Sequence, residues 1–319
     1  MSKRKQVSPT AILLRRIFVS VALIAIAFLG AYLLIQGKDI ALFNPAGPVG
    51  EQQKNLFIFT TILGMAVVIP VFIITFTFAW KYRESNTKAK YTPEVGSNHI
   101  LEIIWWGIPI IIILILAILT WQTSHSLDPY KKLDSPKEAL KVQVVSLQWK
   151  WLFIYPDQNI ATVNELHIPT GRPVDFEITA DSPMNGFWIP KLGTQVYAMN
   201  GMTTKLSLQA DKAGMYRGQS NNISGEGYAD MHFDVVAVDD KAFNAWADKA
   251  MDNDGIDWTT YQELAKPSTI SEPRTYMLHE TNLFTLILGK YMDMPDAKEE
   301  GMSHDMMEHM HTMKHGMGM

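Results

Sequence analysis

The chain has 319 residues, 47% hydrophobic and 19% charged, with a net charge of −4. That balance leaves no broad basic surface for nucleic acid, and the absence of cysteine excludes disulfides, thiolate metal sites, cysteine nucleophiles and a lipidated cysteine. The length points to more than one structural unit.

Residues 1–40 begin with a basic head of Lys3, Arg4, Lys5, Arg15 and Arg16, followed by an uncharged apolar run from Ile17 to Gly37. A signal peptide and a membrane anchor share this pattern. The run suits a full span and no convincing small-residue cleavage site follows it, so the expectation is a retained extra N-terminal span. Residues 41–122 hold two further apolar runs, Leu56 to Trp80 and Ile103 to Trp121. Each approaches or exceeds the roughly 20 residues that a helix needs to cross a bilayer. Pro70 and Pro109 fall inside them, where a proline is tolerated and can kink the helix. Trp80, Trp105, Trp106 and Trp121 mark the ends as an interfacial aromatic belt does. Lys81, Arg83, Lys88 and Lys90 join the basic head in placing that side in the cytoplasm, so the segment from Lys38 to Lys54 and everything after Trp121 lie outside.

A polar linker from Ser124 to Ala139 leads into residues 123–239, where short alternating runs predict strands. Val142 and Val144 form one run. Leu147, Trp149, Trp151, Phe153 and Tyr155 form another, one residue out of phase, as across a bulge. Val174, Phe176 and Ile178 follow the turn signal Pro169–Thr170–Gly171; Leu206 and Leu208, then Met231, Phe233, Val235 and Ala237, complete the set. Several short strands over about a hundred residues predict a β-sandwich. In residues 240–290, Asp239 or Asp240 caps a helix whose apolar face is Phe243, Trp246, Ala247 and Ala250, with a second short helix near Thr260 to Ala265. The region from Gln122 to Lys290 carries a net charge of −6, which suits a solvated surface and also a basic partner. Residues 291–319 have too few large apolar side chains to offset ordering entropy and are expected to be disordered. Their nine methionines from Met292 onward and His304, His309, His311 and His315 are ligands suited to copper, or simply a solvated tail with weak metal affinity.

The stretch GQSNNISGEGYADM, from Gly218 to Met231, resembles the copper loop of subunit II in haem-copper oxidases. The resemblance implies a cupredoxin-like sandwich. In cytochrome c oxidases that domain holds a pair of copper ions through a Cys-x3-Cys-x3-His-x2-Met pattern and an upstream histidine. Here Ser220 and Ser224 stand at the cysteine positions, Tyr228 and Asn185 at the histidine positions and Asn222 at the carbonyl-ligand glutamate position; Met231 alone keeps a ligand type. Serine hydroxyls are not deprotonated near neutral pH and do not bridge copper as thiolates do, and one thioether cannot hold two ions. These positions are therefore expected to be packing and hydrogen-bonding residues, with no metal in the sandwich. Trp149 and Trp151, near an aromatic that helps electrons leave copper in copper-bearing relatives, are expected to pack in the core or against another subunit.

Longer segments, Trp149 to Val174, Phe187 to Met202, Phe78 to Arg83 and Leu119 to His125, resemble bo-type ubiquinol oxidases, and residues 240–290 resemble the aromatic-rich extension of that branch. Many such relatives carry a lipidated cysteine where this chain has lysine, near Gly37–Lys38, which casts doubt on a shared N-terminal processing. The resemblance implies a subunit that binds no cofactor itself. Haem and copper lie in subunit I, which oxidises ubiquinol, reduces oxygen to water and pumps protons; subunits III and IV complete the complex in the bacterial inner membrane. Glu102, at the cytoplasmic start of the last apolar run, matches a glutamate near the mouth of a proton-uptake channel; a carboxylate there relays protons or is simply solvated by water and headgroups. A competing class is a free-standing anchored protein that captures copper with its Met/His tail.

Overall fold

The computed structural model describes residues 26, 29–30, 38–90, 96, 98–270 and 272–292. The N-terminal apolar run lies outside these residues apart from Ile26, Leu29 and Gly30, and so does the Met/His tail apart from Tyr291 and Met292, with His304, His309, His311 and His315.

From Lys38 onward, two long helices come first among the described residues. α1 is Pro48–Lys81, with Pro48 in its first turn, where a missing N–H costs nothing. Its last carbonyls are capped by Arg83, which donates to Trp80 O at 2.8 Å, and by Asn86, which donates to Lys81 O at 2.5 Å. α2 is His99–Ser126; the Asn98 side chain accepts from the Ile100 and Leu101 amides. Pro70 and Pro109 lie inside these helices, as expected. Both helices run past the apolar stretches that mark them. α2 continues five residues beyond Trp121, with Thr123 and Ser124 hydroxyls donating back to Leu119 O and Thr120 O at 2.8 and 2.6 Å. Hydropathy sees the lipid-soluble part of a helix, and backbone hydrogen bonding sets its length. Apolar side chains such as Phe76, Trp106 and Ile113 stand more than half exposed on these helices, a surface made for lipid rather than water.

The sandwich consists of β1 Leu140–Leu147, β2 Lys150–Tyr155, β3 Ile160–Val163, β4 Glu165–Pro169, β5 Pro173–Ala180, β6 Asn185–Trp188, β7 Gln195–Ala198, β8 Thr204–Gln209, β9 Gly214–Ser220 and β10 His232–Val238. After these come α3 Asp240–Ala250, β11 Gly255–Ile256, α4 Trp258–Ala265, β12 Arg274–Leu278 and α5 Leu283–Gly289. One sheet has the order β11-β12-β3-β2-β1-β5-β8, the other β4-β10-β9-β6-β7. Their facing sides meet around Trp151, Phe153, Phe176, Phe187 and Phe233, all at most 1% exposed. Phe187 and Phe233 stack at 5.3 Å, and Trp151 meets both edge-on at 5.3 and 5.7 Å. Gly218 makes room for this stack, since a Cβ there would lie 2.1 Å from the Phe233 ring.

Two expectations are corrected. The phase shift between Val144 and Trp149 is a reversal of the chain, not a bulge: β1 and β2 pair antiparallel, with Leu147 opposite Lys150. The extension after Asp239 is also more than helical. β12 pairs with β3 and β11 with β12, so it lengthens the sheet. Its Tyr261, Leu264, Leu278, Leu283, Phe284 and Ile287 cover Val145, Leu147, Leu152 and Ile154 on the sheet's outer side. With both faces covered, every residue of β2 is buried and alternation disappears. Of the two cap candidates it is Asp239 that caps, accepting from the Ala242 amide at 2.7 Å, while Asp240 is the first residue of α3.

Candidate functional site

The residues at the copper-loop positions come from two connections, the one leading into β6 and the one between β9 and β10. β9 ends at Ser220, β6 begins at Asn185, and β6 and β9 pair antiparallel with Phe187 opposite Ser220. The loop after β9 folds back through a turn at Tyr228–Asp230, so that the Ser220 amide donates to Met231 O at 3.1 Å. Around Asn185 lies a closed polar network. Its amide donates to Ser146 Oγ, Pro183 O and Ser182 Oγ at 2.8, 2.9 and 3.2 Å, and its carbonyl accepts from Ser220 Oγ at 2.9 Å. Ser220 Oγ also lies 3.3 Å from Asn222 O, and the Asn222 amide donates to Met184 O at 2.7 Å. Asn185, Ser146, Ser220 and Ser182 are 1%, 0%, 4% and 6% exposed. Buried and hydrogen-bonded, they carry no charge and hold no thiolate.

The structure thus brings Asn185, Ser220 and Asn222 into one network. Ser224 and Tyr228 make no bond to that network. Ser224 O accepts from Trp149 Nε1 at 3.2 Å, its hydroxyl is buried without a partner, and Tyr228 opens the turn that leads to Met231. Met231 is 2% exposed, and its thioether belongs to the core between the sheets. Trp149 is half-buried against the loop: a Cβ at Gly227 would lie 2.5 Å from its ring. Trp151 is fully buried, so both tryptophans pack. Among the described residues no group of three His, Cys, Asp or Glu is placed to hold a metal ion. The donor set that remains is amides, hydroxyls and one thioether, which does not fit a pair of copper ions.

Two buried charged sites escaped the sequence reading. The Asp181 carboxylate, beside the network, accepts from Tyr261, Lys290 and Tyr291 of the C-terminal extension. Burial raises its pKa, but the hydrogen bonds from Lys290, Tyr261 and Tyr291 outweigh this and hold it below the usual carboxylate range. Burial, with the adjacent Asp181, pushes the Tyr261 and Tyr291 phenols up. Lys150 is 0% exposed, and its ammonium donates toward Ser268 Oγ, Lys266 O, Ser268 O and Gln148 O at 2.6, 2.8, 3.2 and 3.3 Å. No local motif marks such residues, because all their partners but Gln148 lie 80 to 118 positions away.

Burial first, then the charge of Arg274, lowers the Lys150 pKa to about 8. The unfolded chain holds this proton up to about pH 10.4, so between these values the unfolded state binds more protons and stability rises with pH. Wild type is expected to gain stability relative to Lys150→Met from pH 8 to 10, and to keep a constant difference below pH 8. Tyrosine ionisation is common to both chains and cancels. Denaturant titrations of the two proteins across that range check this, and a pH-independent difference would rule it out.

Glu102 lies in the first turn of α2. Its carboxylate oxygen stands 3.2 Å from His99 Nδ1, and its side chain is 39% exposed. Nothing else among the described residues pairs with it, so one face stays open at the helix start.

Comparison with known proteins agrees with this geometry along most of the chain. Residues 37–123 match the family described as the transmembrane domain of cytochrome c oxidase subunit II, 158–238 its periplasmic domain, and 252–294 the COX aromatic rich motif. The ubiquinol oxidase subunit 2 of Acetobacter aceti is 48% identical over 267 residues, covering 82% of this chain and 86% of that one. The cytochrome bo(3) ubiquinol oxidase subunit 2 of Pseudomonas aeruginosa is 46% identical over 267 residues, covering 83% and 81%. The quinol oxidase subunit 2 of Bacillus subtilis is 40% identical over 255 residues, covering 78% and 79%. A sandwich that keeps the subunit II loop but fills its ligand positions with a neutral hydrogen-bonded network, carried on two apolar helices, belongs to the quinol oxidase subunit 2 family.

Proposed function

We propose that this chain supports a proton-pumping ubiquinol oxidase of the bacterial inner membrane without carrying electrons itself. Haem and copper reside in subunit I, the complex includes subunits III and IV, and this chain acts in assembly. The observation that supports the reading is the Asn185–Ser220 network, which occupies the place of an electron relay with groups that have no accessible redox chemistry. A donor that dissolves in the membrane needs no outer copper relay. The test is oxygen uptake by a complex purified through a tag on this chain. Cyanide-sensitive uptake with ubiquinol and co-purifying haem is expected, and reduced cytochrome c should be a poor donor. An intact complex without haem or uptake would overturn the reading in favour of an anchored metal-binding protein.

In the same reading Glu102 collects protons at the cytoplasmic side. Its position at the start of α2, half open and beside His99, favours exchange with water. Glu102→Ala is expected to slow turnover at full haem content, by less than the roughly hundredfold typical of a group acting at the reacting atoms. Glu102→Asp should keep most of the rate. Stopped-flow or electrode assays across pH decide it: unchanged turnover in Glu102→Ala would remove the role.

A further inference from the structure

The outer ends of the two helices meet the linker and β8 in a cleft of about 310 Å³. Its walls combine Val49 and Leu206 with Gln52 and the charged residues Asp128, Lys131, Lys132 and Asp134. The linker is fixed there: the Ser207 amide donates to Pro129 O at 3.2 Å, and Asp128 Oδ1 accepts from the Tyr130 amide at 2.9 Å. Lys132 Nζ stands 3.7 Å from Asp175 Oδ2 with its side chain 86% exposed, a loose pairing, while Asp175 Oδ1 accepts from Ser207 Oγ at 2.8 Å. Lys131 and Asp134 form no ion pair among the described residues.

The depth of the cleft follows from helix geometry. The apolar run of α1 starts at Leu56, four residues after Gln52, and that of α2 ends at Trp121, five before Ser126, which lines the cleft. At about 1.5 Å per residue both distances are roughly 6–8 Å beyond the apolar core. The headgroup layer on each side of a bilayer is roughly 5–8 Å thick. A cleft with both signs of charge and an apolar wall therefore opens at headgroup level. The helix ends reinforce the polarity, with the N-terminus of α1 favouring an anion and the C-terminus of α2 a cation.

We propose that this cleft binds the headgroup of a zwitterionic glycerophospholipid. Lys131 and Lys132 take the phosphate, Asp128 and Asp134 take the ammonium, and the half-buried Leu127 and Leu133 of the same lining receive the glycerol and upper acyl carbons. The proposal rests on the reading of α1 and α2 as membrane spans, and the test separates the two. The intact complex, checked for haem and for resistance to carbonate extraction, is delipidated, titrated with phosphatidylethanolamine or phosphatidylglycerol, and examined by native mass spectrometry. Wild type is expected to retain phosphatidylethanolamine over phosphatidylglycerol. Lys131→Gln with Lys132→Gln should weaken retention of phosphatidylethanolamine on the order of 25-fold, at about fivefold for each lysine near a lipid phosphate. Asp128→Asn with Asp134→Asn should weaken phosphatidylethanolamine and leave phosphatidylglycerol unchanged. Equal retention of the two lipids, a preference for phosphatidylglycerol, or variants that bind as wild type would overturn the site while the spans stand. Release of the chain by carbonate would overturn both.

Discussion

A chain carrying Asn185→His, Ser220→Cys, Asn222→Glu, Ser224→Cys and Tyr228→His, with Met231 kept, is expected to take up a pair of copper ions and to absorb visible light through copper–thiolate charge transfer. The positions that such a site would use already lie close together. Ser220 and Met231 are tied by the amide-to-carbonyl bond at 3.1 Å, and Asn222 O already faces Ser220 Oγ at 3.3 Å. Asn185 and Ser220 touch at 2.9 Å. Serine to cysteine changes the volume little, while the chemistry changes from an un-ionised hydroxyl to a soft thiolate. The substitutions also break the network: Ser146 and Ser182 lose the Asn185 donor but keep their mutual contact at 3.1 Å and the Ser182 bond to Ser146 O at 3.0 Å, so each lost hydrogen bond costs about 0.5–1.5 kcal/mol. The metal-free variant should therefore melt below wild type and rise when copper is added, because a ligand that binds only the folded state stabilises it. Copper per chain, the visible spectrum and the two melts are the measurements. A folded variant that takes up no more copper than wild type would mean that the loop no longer has a ligand-ready shape.

Trp151→Ala should be the most destabilising single truncation in the sandwich. Trp151 is the largest fully buried side chain and bridges the sheets, with Phe187 at 5.3 Å and Phe233 at 5.7 Å. Removing a buried tryptophan typically costs about 3–5 kcal/mol, since the transfer energy is lost and the cavity does not collapse. In a domain of this size that lowers the melting temperature on the order of 10 °C. Truncation of Ile223, 81% exposed on the neighbouring loop, should shift it by less than a degree or two. The informative comparison is the two melts in the same detergent. Similar shifts would show that the ring cluster is not where the stability lies.

The loop and the latch on Asp181 share a boundary. The Asp181 amide donates to Ser146 O at 2.9 Å, next to the Ser182 and Asn185 bonds, while its carboxylate holds three donors from the extension. The aromatic-rich extension thus secures the same turn that carries Asn185, and it does so through one buried carboxylate.

Sequence alone determined what depends on local composition and on covalent identity. Uncharged, largely apolar runs of roughly 20 residues mark α1 and α2 whatever surrounds them, and the alternation of apolar with polar residues in β5 and β10 marks strands. Replacing two thiols by hydroxyls removes copper chemistry wherever the loop sits. The β1–β2 reversal was not legible, because burial of both faces of β2 erases the alternation that would have placed its ends. Nor were β11 and β12, whose strand character comes from pairing, β12 with β3 and β11 with β12, rather than from their own two and five residues. Only the tertiary structure decided which polar side chains are buried together. Asn185 meets Ser146 and Ser220 across 39 and 35 residues, and Asp181 meets Lys290 across 109. The desolvation that makes these contacts matter exists only once the sheets and the extension have closed over them.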